Sequence, residues 1–307
     1  MGPLRRPSAA AGDSICLSGS NHSLIFAAMR GEFVDLGGCR LYYYAAGTRG
    51  AGEPVVFLHG FPASSHLWRH VVRELSERSP GHRMVVVDLL GFGRSDRPLE
   101  ADLSAVAHAT RVRGLMDELR IDTACLVGHA MGGAIALALA CTAPSRVTRL
   151  CLVNSVALDD WPSRSARVAR WLCASQRVAR SVGAPLLAGL VHGSLLAGYA
   201  IADTGRRSLD HYLHAFTTHL GVDALISHLR AMRDPTVPLL GARLSELRQP
   251  VAVVWGRLDP FLGVRLGERL RDAITGATLD VIPGARHFTP EDAPERVAEA
   301  VAALLKR

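Results

Sequence analysis

Lysine is almost missing from this chain: Lys306, next to the last residue, is the only one, so arginine carries the positive side of a formal charge of +7. A buried Schiff-base lysine and the lysine of a phosphate-gripping Walker loop are thereby excluded. Long apolar runs are missing too. None reaches the roughly 18 residues needed to cross a bilayer, and Leu24-Ile25-Phe26-Ala27-Ala28 is too short and too far from the start to read well as a signal peptide. None of the six cysteines stands in a C-x-x-C pair, and no zinc-ligand spacing is met. Cys125 and Cys151 lie in strand-like apolar runs and Cys141 ends an alanine-rich helix, the pattern of buried free thiols in a reducing compartment; Cys16, Cys39 and Cys173 add no pairing. The basic balance permits attraction to anions, but no nucleic-acid-binding motif accompanies it. These absences predict a soluble, cytoplasmic protein, monomer or homodimer, with no metal, no organic cofactor, no nucleic-acid partner and no stable membrane insertion.

What remains is 307 residues, 49% hydrophobic and 21% charged, enough for one large core with a lid. Residues 1–30 mix Gly, Pro, Ser and Ala without periodicity and read as a flexible N-terminal arm, Arg5 and Arg6 only weakly resembling a targeting segment. Strand candidates Glu32-Leu36 and Arg40-Ala45 flank the hairpin signal Gly37-Gly38. The continuous apolar runs at 54–58 and 84–87 suit strands buried on both faces of a parallel sheet, and further strand candidates follow at 124–127, 150–153, 251–255 and 278–282. Helical stretches separate them: His66 to Glu77, then Val112, Leu115, Met116 and Leu119 at i, i+3, i+4 and i+7, then Ala134-Ala140, and a closing helix with Val297, Val301, Leu304 and Leu305 on one face. The alternation predicts an α/β fold, a mostly parallel eight-stranded sheet flanked by helices. Residues 31–157 and 248–307 form its core; residues 158–247, helical in composition and broken by Pro185, Pro235 and Pro238, form an inserted cap over the strand ends. In the cap, Arg167, Arg170, Arg177 and Arg180 lie opposite Trp171, Leu172 and Val178, a solvated basic face.

Five loops carry the chemistry. His59-Gly60-Phe61-Pro62 follows the third strand, and Asp88-Leu89-Leu90-Gly91-Phe92-Gly93-Arg94-Ser95-Asp96 the fourth. Gly128-His129-Ala130-Met131-Gly132-Gly133 follows the fifth, with the frame of a G-x-S-x-G nucleophile elbow and alanine in the nucleophile's place. Gly256-Arg257-Leu258-Asp259-Pro260 and Gly284-Ala285-Arg286-His287-Phe288 follow the last two. In this order, each at a strand end, they resemble the α/β-hydrolase family from about Glu32 to the C-terminus. The resemblance implies an oxyanion hole from the backbone N–H groups of Phe61 and Met131, a general base at His287, and Asp259 fixing its tautomer. Asp159 and Asp160, just past the sixth strand, are backups for the acid. His59 and His129 read as hydrogen-bonding residues of their loops, with a place beside the substrate as the other reading. Trp161, Tyr199, Tyr212 and Phe216 of the cap are candidates to line the substrate pocket.

Ala130 decides the activity, since a methyl group cannot attack a carbonyl. Three readings are open. In one, serine belongs here and the chain carries a nucleophile knock-out of a Ser-His-Asp type hydrolase for a small carboxylic ester, lactone or related carbonyl substrate; Gly-His-Ala-Met-Gly-Gly fits that form better than the Gly-His-Asp-Trp-Gly of dehalogenases and epoxide hydrolases. In another, alanine is native and His287 with Asp259 does acid–base chemistry alone, as a lyase, cyclase or cofactor-free oxygenase. In the third, the site only binds a ligand.

Overall fold

The computed structural model describes residues 31–48, 50, 52–158, 184–217, 219–231, 234 and 236–307. Its sheet has eight strands: β1 (Glu32–Asp35), β2 (Arg40–Ala46), β3 (Val55–Leu58), β4 (Met84–Val87), β5 (Ala124–His129), β6 (Val147–Val153), β7 (Val251–Gly256) and β8 (Thr278–Ile282). They run in the order β1-β2-β4-β3-β5-β6-β7-β8. β2 pairs antiparallel with both β1 and β4, and all other pairings are parallel. β3, β4, β5 and β7 are buried along their whole length. Their valine-rich apolar runs therefore do not alternate, since helices cover both faces.

From β3 the chain steps outward to β4, then back across β3 to β5. That reversal of winding direction opens a crevice at the strand C-termini, the place where open parallel sheets put their sites. Helices α1 (Arg69–Arg78), α2 (Ala105–Glu118), α3 (Met131–Thr142), α8 (Val264–Ala273), α9 (Thr289–Asp292) and α10 (Pro294–Leu305) belong to the core. Between β6 and β7 lie α4 (Ala184–Leu196), α5 (Ala202–Leu213), α6 (His219–Ala231) and α7 (Thr236–Gly241). None of the helices among the described residues is long and apolar enough to cross a membrane.

Two starts differ from expectation. The first helical stretch opens as a 3₁₀ turn, Ser65–Trp68, capped by the Ser64 hydroxyl accepting from His66 N–H. α3 begins at Met131 rather than Ala134, because Gly132 and Gly133 here serve close packing. A Cβ on Gly132 would stand 2.2 Å from the Leu58 carbonyl oxygen, and one on Gly128 would stand 2.4 Å from the Gly132 oxygen. Residues 1–30, Trp161, Asp159, Asp160, Cys16, Cys173, Pro235 and the arginine face at 167–180 lie outside the described residues. The described cysteines, Cys39, Cys125, Cys141 and Cys151, are all free.

Candidate active site

The turn between β5 and α3 forces Ala130 to φ 48°, ψ −114°. A non-glycine residue rarely tolerates that region, and it persists only where the surroundings over-determine it. Here they do. Ala130 N–H donates to the Val153 oxygen (3.1 Å), and its own oxygen accepts from Gly133 N–H (3.0 Å) and Val156 N–H (3.1 Å). The side chain at 130 is thereby pushed out of the strand line toward Gly60, where an added Cβ would come within 2.7 Å of the Ala130 methyl.

Across the crevice, His287 follows β8 and Asp259 follows β7. His287 Nδ1–H donates to Asp259 Oδ2 at 2.8 Å, and both residues are buried. Since Asp259 can only accept, Nδ1 carries the proton, and Nε2, with no partner among the described residues, is left to take or give one. The carboxylate is saturated. Asn154 Nδ2–H donates to Oδ2 (2.7 Å), and the N–H groups of Phe261 (2.8 Å) and Leu262 (2.9 Å) donate to Oδ1. Burial works to raise the pKa of Asp259, but the adjacent imidazole, its hydrogen bond, and the Leu262 and Asn154 donors outweigh it and hold the acid below the ordinary carboxylate value.

Asn154 went unnoticed in the sequence. It sits at φ 41° just past β6, a conformation asparagine tolerates better than most residues. Its Oδ1 accepts from Gly256 N–H (3.2 Å) and Thr289 Oγ1–H (2.7 Å), tying the ends of β6, β7 and the histidine loop together. A lone asparagine after a strand gives no local signal; only the fold brings it to Asp259.

The expected oxyanion donors stand open. Among the described residues neither Phe61 N–H nor Met131 N–H has an acceptor, and Met131 heads α3, where unpaired N–H groups and the helix dipole favour negative charge. Both residues line one small cavity with Phe92, Leu103, Ala134, Val156, Val237 and His228 of α6. His228 donates through Nε2 to the Gly91 oxygen (3.1 Å) and stacks on Phe92 at 3.8 Å. Burial lowers its pKa to about 4, so the ring is neutral at pH 7.

Several expected pocket residues lie elsewhere. His59 is fully buried, Nδ1–H donating to the Gly60 oxygen (2.9 Å) and Nε2 accepting from Leu89 N–H (3.0 Å), so both nitrogens are spent on joining two loops. His129 is also fully buried and donates through Nε2 to the His287 carbonyl (3.0 Å); burial and the nearby His287 ring bring its pKa down to about 3. Both rings tie loops of the site together through bonds to backbone. Tyr199 and Tyr212, expected at the pocket wall, bury their rings and point both hydroxyls at Glu291 (2.7 and 3.2 Å). Phe216 packs edge-on against Phe92 at 6.3 Å between ring centres. Among the described residues no group of three or more His, Cys, Asp or Glu side chains could hold a metal ion.

Comparison with known proteins agrees with this geometry. A family model described as alpha/beta hydrolase fold matches residues 53–174. An alpha/beta hydrolase fold protein from Burkholderia ambifaria is 30% identical, and the match covers 91% of this chain and 100% of that one with a TM-score of 0.77. This chain belongs to the α/β-hydrolase family. A 2-hydroxy-6-oxononadienedioate/2-hydroxy-6-oxononatrienedioate hydrolase of Paraburkholderia xenovorans is 29% identical over 296 residues, 93% of this chain and 99% of that protein. Haloalkane dehalogenase 2 of Mycobacterium tuberculosis is 28% identical over 286 residues, 85% of this chain and 90% of that protein. Its hydrolase relatives thus span different chemistries on one fold.

Proposed function

We propose that this α/β-hydrolase site is built to cleave a small carboxylic ester, lactone or related carbonyl compound, that position 130 is the seat of its serine nucleophile, and that with alanine there the chain binds substrate without acylating. The observation that carries this is the strained turn at Ala130, its methyl beside Gly60 and the adjoining Phe61 and Met131 N–H groups open; the buried His287–Asp259 pair, whose outer nitrogen has no partner among the described residues, supports it. An alanine gains nothing from φ 48°, whereas a nucleophile is presented by it.

With serine at 130, Oγ attacks the carbonyl carbon as its proton passes to His287 Nε2. The oxyanion accepts from the N–H groups of Phe61 and Met131, which were already in place and need no reorganisation. The imidazolium, steadied by Asp259, then protonates the leaving oxygen, and water repeats the sequence to release the acid. No metal or organic cofactor enters these steps.

Ala130→Ser tests the reading. The serine form is expected to hydrolyse p-nitrophenyl esters or lactones at least a thousandfold faster than the alanine form, on the order of what a nucleophile contributes, and to be labelled by a serine-directed phosphonate. A folded serine form that neither turns over nor labels overturns it. The free Nε2 favours one second reading, acid–base chemistry by His287 and Asp259 with native alanine; that reading expects turnover by the chain as it stands, abolished by His287→Ala. Halide release by Ala130→Asp alone would instead place the site with the dehalogenases.

A further inference from the structure

Beyond the reacting groups lies a second buried carboxylate. Glu291 is on α9, four residues past His287, and its side chain has no exposure. It forms an ion pair with Arg69 at the start of α1, and accepts from Tyr199 Oη–H (2.7 Å), Ser208 Oγ–H (2.7 Å) and Tyr212 Oη–H (3.2 Å). Arg69 belongs to the core; the three hydroxyls come from residues 199–212 of the cap. The carboxylate therefore faces core on one oxygen and cap on both. Burial and the neighbouring Glu291 charge push the Tyr199 and Tyr212 hydroxyls well above their ordinary pKa, so they stay donors at any working pH.

The same stretch of cap holds the histidine loop at other points. Phe288 N–H donates to the Gly198 oxygen (3.0 Å), Ala200 N–H to Asp292 Oδ1 (3.0 Å), and Arg286 Nη1–H to the Ala197 oxygen (2.9 Å). Tyr199 lies flat on Phe288, ring centres 4.2 Å apart and planes within 14°. Residues 286, 288, 291 and 292 are thus all tied to cap residues 197–212, with His287 between them. By contrast, the His287 ring itself makes one hydrogen bond among the described residues, to Asp259.

We propose that Glu291 is a positioning residue through which the docked cap sets the orientation of His287, so that the acid–base group is in register only when the cap is seated. The proposal rests on the reading of His287 as that group. Four donors on one buried carboxylate make the joint stiff, and a displacement of about 1 Å at a reacting atom costs on the order of a hundredfold in rate. The cap then contributes to the chemical step as well as to the pocket wall.

The experiment removes two of the three cap hydroxyls, both of those on Oε2, and leaves the Arg69 ion pair and the Ser208 bond on Oε1 intact: Tyr199→Phe with Tyr212→Phe, in the chain as it stands and in its Ala130→Ser form. In ¹⁵N-histidine-labelled alanine protein, the His287 ring is expected to lose its single Nδ1–H tautomer, which Asp259 otherwise enforces. In the serine form, kcat is expected to fall about tenfold to a hundredfold with KM changed less than about threefold. Unchanged tautomer and unchanged kcat in a folded variant overturn the proposal. So does a fall in kcat with the tautomer intact, which would mean that the cap acts on substrate rather than on His287. Glu291→Gln, which keeps the shape and removes the charge, decides by the same two readouts if the double variant does not fold. Should the serine form hydrolyse nothing, the function reading fails while the tautomer measurement still decides this one.

Discussion

Two buried carboxylates follow strands of one sheet, β4 and β7, with three strands between them, and they do opposite work. Asp88, after β4, accepts from Ser65 N–H (2.6 Å) and Arg94 N–H (2.8 Å), and its carbonyl takes the Ser95 hydroxyl (2.6 Å), which in turn accepts from Tyr42 N–H (2.8 Å). Next to it His59 has both nitrogens bonded to backbone. Every valence closes on the protein, so this network fixes a loop and nothing more. Asp259, after β7, is equally saturated, yet its histidine keeps one nitrogen open to the crevice. Charge and burial do not distinguish the two. An unspent hydrogen-bonding valence beside a cavity does.

The sharpest way to break that contrast is a crossed pair of substitutions. His287→Ala in the serine form is expected to lower kcat roughly a millionfold, while unfolding free energy falls by only about 1 kcal/mol, since Asp259 keeps three other donors. Asp88→Ala should do the reverse. It strands two N–H donors, at a cost of about 3 kcal/mol, and whatever folds should keep its rate to within a small factor. Urea melts and ester kinetics on both variants check this. Equal losses of stability at the two sites would mean that the distinction drawn from free valences is empty.

The pH dependence of stability sharpens the same point through the histidines. His129 and His228 are buried neutral, with pKa values near 3 and 4, and His59 is lowered in the same direction by burial. The unfolded chain protonates each near pH 6.5, so below that pH it binds more protons than the folded form and stability falls as pH falls. For His228 the loss reaches about 3 kcal/mol by pH 4. Asp259, held low, adds its own loss only further down, as pH drops through the carboxylate range. Urea midpoints measured from pH 7.5 to 4.5 should therefore decline already near pH 6, and His228→Gln should flatten the decline by about one proton's slope. A midpoint constant down to pH 5 would contradict neutral burial of these rings.

The two networks also differ in how legible they were. The central strands β3, β4, β5 and β7 announced themselves as apolar runs, because burial on both faces leaves no charged residue to interrupt them. The elbow was readable from its small residues, since Gly128 and Gly132 admit no Cβ, whereas Asp259 and His287 were readable only through the resemblance of their loops to a known family. Asn154 and Glu291 were not readable. Each works through partners 79 to 222 residues away, and neither has a neighbour pattern that marks it. The cap tyrosines were misplaced for a related reason: an aromatic ring in a helix signals burial, but the direction of its hydroxyl is set by tertiary docking.

The smallest expected effect concerns backbone strain, at two positions with positive φ and different causes. Arg120, at φ 53°, ends the turn after α2, where nothing but chain direction requires the conformation. Glycine there should raise stability by about 1 kcal/mol, the cost of a left-handed non-glycine residue less the added freedom of the unfolded chain. Ala130, at φ 48°, carries comparable strain, but its methyl is 4% exposed and packs beside Gly60. Ala130→Gly relieves the backbone and forfeits that burial, about 0.8 kcal/mol for one methyl-sized group, so the net gain should be about 0.5 kcal/mol or less. The difference between the two variants, read from paired urea melts, measures how firmly the elbow is held for the side chain it presents. If Ala130→Gly gained as much as Arg120→Gly, the methyl would be packing against nothing, and position 130 would be an ordinary tight turn.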